Sequence, residues 1–291
     1  KQSYGRNMGR MSQSAILVIS PIRDEEEYIC GAINCIRSQS LQPALWVVVD
    51  DGSTDKTEEL VRRALPTMEN LRYIKVPNRG FRKPGGGVVE SFNVGISSVN
   101  LEDYDYIVKL DVDLMFGEDT FRRVIDAFET NRKLGIAGPR RYEQVYKGSH
   151  FAHSSGPRYF VGGPMKFYRR ECYEAIGGLV TRAGWDGVDT IEAQMNKWAT
   201  KELETVEIYH LRPTGTASGE GVKRACYKYG DVVYYMGGTF LIFFARAVYR
   251  ALEAKKPRVF IYMLSGYFIS LFRGVERRSI SFRKFYRKLQ R

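Results

Sequence analysis

The chain has 291 residues, 44% of them hydrophobic, enough for one domain of roughly 200–250 residues plus an appendage. Its four cysteines form no Cys-x-x-Cys pair, which argues against a disulfide framework and a structural zinc site and fits reduced thiols in a cytosolic compartment. The net charge of +12 is unevenly spread: Val222–Arg291 holds 16 Lys/Arg against 3 Asp/Glu, while the rest balances at 29 against 30, so the tail's expected partner is an anionic surface.

Residues 1–14 are polar, lack the apolar core of a signal peptide, and read as a disordered or tag-derived terminus. Ala15–Ser20 (AILVIS) is a continuous apolar run, the pattern of a strand buried on both faces. The acidic residues of Pro21-Ile22-Arg23-Asp24-Glu25-Glu26 are expected to open a helix reaching about Ser38. Leu45–Val49 is a second buried strand. It runs into Asp50-Asp51-Gly52-Ser53-Thr54-Asp55, which also suits a plain turn and helix cap, with a helix from about Lys56. Arg72–Val76 reads as a third strand, Asn78–Gly87 as a basic, Gly-rich loop, and Val88–Ser98 as a helix.

Tyr106–Phe116 (YIVKLDVDLMF) is the centre of the pattern. An apolar strand ends in Asp111 and Asp113, whose spacing puts both carboxylates on one face of an extended segment. Two carboxylates so placed call for a cation, and hard divalent ions take oxygen ligands. Further on, Glu118–Asn131 reads as a helix and Gly135–Pro139 as a strand. Tyr142–Pro157 reads as irregular, Arg158–Arg169 as strand material, and Arg170–Ile176 as a short helix. His150-x-x-His153 lacks a nearby ligand to complete a metal site. Gly184–Asp189 precedes an amphipathic helix to about Trp198, and Thr205–Tyr209 is a last strand ending in His210. Alternating strands and helices imply an α/β fold, a mostly parallel sheet with helices on both faces. Ligands then bind beyond the carboxyl ends of the strands, where Arg23, Glu25, Asp50, Asp51, Arg79, Asp111 and Asp113 gather.

VVVDDGSTDKT, followed some sixty residues later by LDVD, resembles the family 2 glycosyltransferases with the GT-A fold. The resemblance runs from about Ala15 to His210. It implies a Rossmann-like catalytic domain over 15–215, with a nucleotide-binding half (15–115) and an acceptor half (116–215). It also implies transfer of a sugar from a nucleoside diphosphate sugar, UDP rather than GDP, to an acceptor hydroxyl with inversion. Pro21, Arg23, Glu25, Val49, Asp51, Arg79, Asp111 and Val112 would meet the nucleotide. Asp113, Asp111 and His210 would hold Mn2+ or Mg2+. Asp189 resembles the second residue of the family's Glu-Asp pair and would be the general base, with Asp186 as the alternative; Val188 stands where the Glu is usual, and Asp189 also fits a simple capping group. Trp185 would line the acceptor. The Gln-x-x-Arg-Trp motif of processive synthases is not matched.

Residues 216–291 are expected to form basic, amphipathic helices. Val232–Ala245 and Val259–Phe272 are uncharged runs of fourteen residues, short of the about 20 that a spanning helix needs. With aromatic and basic flanks, they suit the cytosolic face of the membrane and a polyprenyl-linked or other glycan acceptor, with a soluble cytoplasmic enzyme as the alternative. Packing of these helices on the catalytic domain or on another copy of the chain is a further alternative, and nucleic acid is not an expected partner. Two rival functions are an inactive GT-A-like scaffold and a sugar nucleotidyltransferase. The second should carry a Gly-rich loop after the first strand, and Pro21–Glu26 has no glycine.

Overall fold

The computed structural model describes residues 14–81, 83, 85–144, 149–153, 160–212 and 221–290. Arg82, most of the 1–14 segment, and the boundary between 215 and 216 lie outside these residues. Strands β1 (Ile16–Ile22), β2 (Leu45–Asp50), β3 (Leu71–Lys75) and β4 (Tyr106–Leu110) are parallel, in the order β3-β2-β1-β4. Helices α1 (Ile29–Arg37), α2 (Thr57–Ala64) and α3 (Gly86–Ser97) connect them. Alternate residues explain why these strands read as unbroken apolar runs. Ile16 and Val18 join the core on one face, and Leu17 and Ile19 the core on the other.

Beyond β4 the sheet becomes mixed. It continues through β8 (Met165–Arg169), β6 (Leu134–Gln144), β9 (Ala199–His210) and β5 (Leu114–Phe116), with β7 (Phe151–His153) paired to β6. β8 is antiparallel to β4 and to β6, β9 is parallel to β6, and β5 is antiparallel to β9. The last pairing sets Leu114 opposite His210, which carries the end of a distant strand back to the aspartates. Helices α4 (Thr120–Thr130), α5 (Arg170–Ala175) and α6 (Trp185–Met195) flank this half.

The first helix begins five residues later than expected. Asp24 holds a left-handed backbone (φ 53°), and its carboxylate accepts from the Thr54 amide at 2.8 Å. Glu26 accepts from the Lys56 amide at 3.0 Å. These acidic residues cap the start of α2 rather than opening α1, so the two loops that follow β1 and β2 are stitched together.

The C-terminal helices are α7 (Val222–Met236), α8 (Phe240–Glu253), α9 (Pro257–Phe272) and α10 (Ile280–Leu289). The apolar run Val232–Ala245 is therefore not one helix. Gly237, at φ 69°, ends α7 in the left-handed conformation that glycine adopts without strain. α7, α8 and α9 share a small core of Val233, Tyr234, Phe243, Ala247, Val259, Met263 and Tyr267. α7 and α9 cross so closely that a Cβ on Gly230 would lie 2.0 Å from the Met263 carbonyl oxygen, and one on Gly266 would lie 1.9 Å from that of Tyr227. The other side of α7 and α10 packs on α6, through Met236 and Phe282 against Val188 and Ile191. Arg278 pairs with Glu192 there. The tail is thus built onto the catalytic half. Among the described residues no helix is long and apolar enough to cross a membrane.

Candidate active site

A cleft of about 330 Å³ opens at the carboxyl ends of β1, β2 and β4. Pro21, Arg23, Glu25, Asp51, Asp111, Val112 and Asp113 line it, together with Trp185, Asp186, His210 and Arg212. The Asp50–Asp51 pair divides its labour. Asp50 is buried and accepts from the Ser53 amide (2.7 Å) and the Tyr73 hydroxyl (2.6 Å), which holds the turn. Asp51 reaches the cleft and pairs with Arg79 at 2.6 Å. Arg79 also binds Glu90 at 2.5 Å and does not itself line the cleft. The hydrogen bonds to Asp51 and Glu90 raise the Arg79 pKa. Its guanidinium thus bridges Asp51 and Glu90. Val49 is fully buried in the core below α3 and does not line the cleft.

Asp113 is 4% exposed, and its Oδ2 accepts from His210 Nε2 (3.1 Å) and Arg212 Nε (2.9 Å). Arg212 also reaches both oxygens of Glu25, at 2.9 and 3.0 Å. Burial opposes a charge on Asp113, but the hydrogen bond and charge of His210, with the charge of Arg212, bring its pKa down to about 2. Burial likewise opposes protonation of His210, but hydrogen bonds to Asp113 and Glu143 and nearby negative charge lift it to about 9. Asp111 binds the buried Lys109 at 2.5 Å. Among the described residues no three His, Cys, Asp or Glu side chains are grouped to hold a metal ion. The carboxylates of Asp113 and Asp111 are oxygen donors of the type that suits Mn2+ or Mg2+, and His210 would add a nitrogen donor once its proton is lost. Oδ1 of Asp113 takes no hydrogen bond from a described residue. His153, on β7, by contrast lies 3.7 Å from Glu202 of β9 and does not line the cleft.

The two candidate bases part company. Asp189 is 1% exposed and does not line the cleft. It binds the fully buried Lys166 at 2.7 Å and the Tyr168 hydroxyl at 2.5 Å. Burial pushes its pKa up, against the pull of Lys166 and Tyr168. Lys166 also donates to the Asp186 carbonyl (2.7 Å) and to Thr190 Oγ1 (2.9 Å), so it pins the first turn of α6. Asp186, on that turn, faces the cleft beside Trp185. Lys109 and Lys166 lie 5.5 and 5.7 Å from the Trp185 ring, which fixes it between two cations.

Sequence reasoning missed Arg212, Lys109 and Lys166. The two lysines did carry a signal. A lysine inside a buried strand, as in YIVKL and MKFYR, must find a carboxylate or carbonyl partner. Arg212, two residues past the end of β9, carried none.

The glycosyl transferase family 2 model matches residues 17–181. No curated protein sequence matches the chain. Among solved structures, S. aureus TarS residues 1–349 in complex with UDP-GlcNAc aligns with a TM-score of 0.57 and 17% identity, over 94% of this chain and 79% of that one. A longer TarS chain is covered over 39% of its length. The mannosyltransferase PcManGT from Pyrobaculum calidifontis, in complex with GDP-Man and Mn2+, aligns at 0.58 and 16% identity, over 94% and 78%. GalNAc-T7 with UDP, GalNAc and Mn2+ aligns at 0.61 and 10% identity, over 96% and 57%. At such identities the likeness is one of fold, the GT-A arrangement of a central sheet flanked by helices. With more than half its length matched by the family model, this chain belongs to glycosyl transferase family 2.

Proposed function

We propose that the cleft transfers a sugar from a nucleoside diphosphate sugar to an acceptor hydroxyl in a single, inverting displacement. The observation that carries this reading is that one cleft is lined both by the hydrogen-bonded group Asp113, His210 and Arg212 and by Trp185 and Asp186 at the start of α6. UDP is favoured as the nucleotide, since TarS and GalNAc-T7 are solved with UDP or a UDP-sugar, while PcManGT keeps GDP in the comparison.

Asp51, fixed by Arg79, is placed to accept a hydrogen bond from the base, and Pro21, Arg23 and Glu25 to frame it. Asp113 and His210, with Asp111, would hold Mn2+ or Mg2+, which supplies positive charge to the leaving diphosphate. Arg212 adds a permanent cation at the same point. Asp186 takes the acceptor proton as the hydroxyl attacks, and Trp185 forms the wall against which the acceptor rests. Asp189 holds Lys166, and through it the turn that aims Asp186.

The C-terminal helices support a seat on an anionic membrane face. Leu241, Phe244, Val248 and Leu252 form an exposed stripe at helical spacing on α8, and Leu241 is 74% exposed. On α9 Ile261, Phe268 and Phe272 do the same, with Phe272 82% exposed. Arg246, Arg250, Lys255, Lys256, Arg258 and Arg273 surround them, and anionic lipid would add roughly 1 kcal/mol per basic residue at its surface. Such a seat suits a lipid-linked acceptor on the cytosolic leaflet.

The test of the catalytic reading is thermal stability against UDP, GDP, dTDP and CMP, with and without Mn2+, for the wild type and Asp113→Ala. A shift for one diphosphate that needs both Mn2+ and Asp113 is the expected result. No shift with any nucleotide would sink it. Co-sedimentation with phosphatidylserine vesicles but not with phosphatidylcholine vesicles tests the seat.

A further inference from the structure

Six lysine or arginine side chains line the described cleft, and five have a carboxylate partner. Arg23 lies 3.8 Å from Asp51, Lys83 binds Glu90 at 2.5 Å, and Lys109 binds Asp111 at 2.5 Å. Arg141 binds Glu143 at 2.8 Å, and Arg212 binds Glu25 at 2.9 Å. The sixth, Lys228, makes no ion pair with a described residue. It does not come from the sheet at all. It sits on α7, in the tail, and is half-buried.

The position of Lys228 follows from the face of α7 it occupies. Asp231 binds Arg182 at 2.8 Å, and Val232 fills the space that a Cβ on Gly184 would need. Met236 lies against Gly187. Residues 228, 231/232 and 235/236 share one helical face. That face is therefore pressed against the segment that carries Trp185 and Asp186, and Lys228 sits one turn before the contacts, at the cleft. The donor's diphosphate would lie with Asp113 and Arg212 at the strand ends. An ammonium that lines the cleft with Trp185 and Asp186, and has no ion-pair partner among the described residues, is free to meet an anion that the acceptor brings.

We propose that the acceptor carries an anionic group of the phosphate type near its attacking hydroxyl, and that Lys228 is its counter-ion. This deepens the glycosyltransferase reading and rests on it. Phosphate on a lipid and phosphate in a soluble alditol phosphate present the same oxygens to Lys228. Lys228 is a binding residue on the acceptor side, and donor binding does not pass through it.

The experiment uses the whole chain and three probes: a short-chain polyprenyl phosphate in detergent, glycerol phosphate, and an uncharged alkyl glycoside. Thermal shifts are read with UDP and Mn2+ present, and again without them, for the wild type, Lys228→Ala and Lys228→Arg. At least one phosphate probe should raise the melting temperature of the wild type and of Lys228→Arg, and the alkyl glycoside should not. Lys228→Ala should lose the phosphate response and keep the full UDP shift. Response to polyprenyl phosphate alone marks a lipid acceptor; response to both marks the phosphate as sufficient. An undiminished phosphate response in Lys228→Ala overturns the proposal, as does an equal response to the uncharged glycoside or none to either phosphate. Loss of the UDP shift in Lys228→Ala also overturns it, by moving Lys228 to the donor. Absence of a UDP shift in the wild type is a separate failure, that of the glycosyl-transfer reading, and the arm without UDP still reports on Lys228.

Discussion

Asp113 and Asp189 are buried almost equally, yet they sit in opposite electrostatic settings. Asp113 meets an imidazole and a guanidinium at the wall of the cleft, and its pKa is drawn down to about 2. Asp189 is enclosed by Lys166 and Tyr168 away from the cleft, and burial pushes its pKa up. Burial alone therefore does not set the direction of a carboxylate's pKa shift. Contact with the cleft separates Asp186 from Asp189 although the two are only three residues apart on α6.

The strongest way to break this contrast is to exchange the two aspartates' fates. Asp186→Asn should lower kcat by about 10³-fold, the usual scale of general base catalysis, while the UDP-induced thermal shift stays intact. Asp189→Asn should instead cost roughly 3–5 kcal/mol of stability in urea unfolding, because Lys166 loses its charge partner in the interior. Its kcat per folded molecule should fall far less than that of Asp186→Asn. If Asp189→Asn keeps its stability and loses all turnover, the roles are reversed.

A smaller effect sharpens the link between the tail and the cleft. Gly266→Ala puts a methyl group against the Tyr227 carbonyl, so α7 and α9 must part. A loss of about 1–3 kcal/mol is expected in the same urea experiment, with weaker binding of the phosphate probe and an unchanged UDP shift.

The smallest is a pH effect on the metal-free protein in EDTA. Asp113 titrates at about 2 rather than 3.8, so its contribution is present above pH 3.8 and is lost as pH falls toward 2. His210 titrates at about 9 rather than 6.5, so its contribution is complete below pH 6.5 and is lost as pH rises through 9. Melting temperatures should decline between pH 6.5 and 9 in the wild type, and less so in His210→Gln.

The parallel half of the sheet was legible because β1, β2 and β4 are buried on both faces and so are nearly continuous apolar runs, with Ser20, Asp50 and Lys109 as the exceptions. Asp51, Asp111, Asp113 and His210 could be found because each closes or follows an apolar strand, and all four reach the cleft. The choice between Asp186 and Asp189 was hidden. Three residues on a helix keep both on nearly the same side, and only the buried Lys166 on β8 decides which one turns inward. Val49 and Arg79 do not line the cleft for a related reason: adjacency to a motif in the chain does not make a side chain face it. The break at Gly237 inside an apolar run, and the docking of α7 and α10 on α6, depend on contacts between segments some fifty to ninety residues apart. No local pattern records those.

The crossing of α7 over α9 has a mechanical meaning. At Gly230 and Gly266 the two backbones touch, so there is no side chain between them to absorb a displacement. α9 presents part of the apolar stripe to the outside, and α7 presents Lys228 to the cleft. A force on the outer face would thus be carried through a rigid joint to the acceptor wall. Were the membrane seat proposed above to hold, contact at the stripe would be felt at Lys228, with two glycines as the linkage.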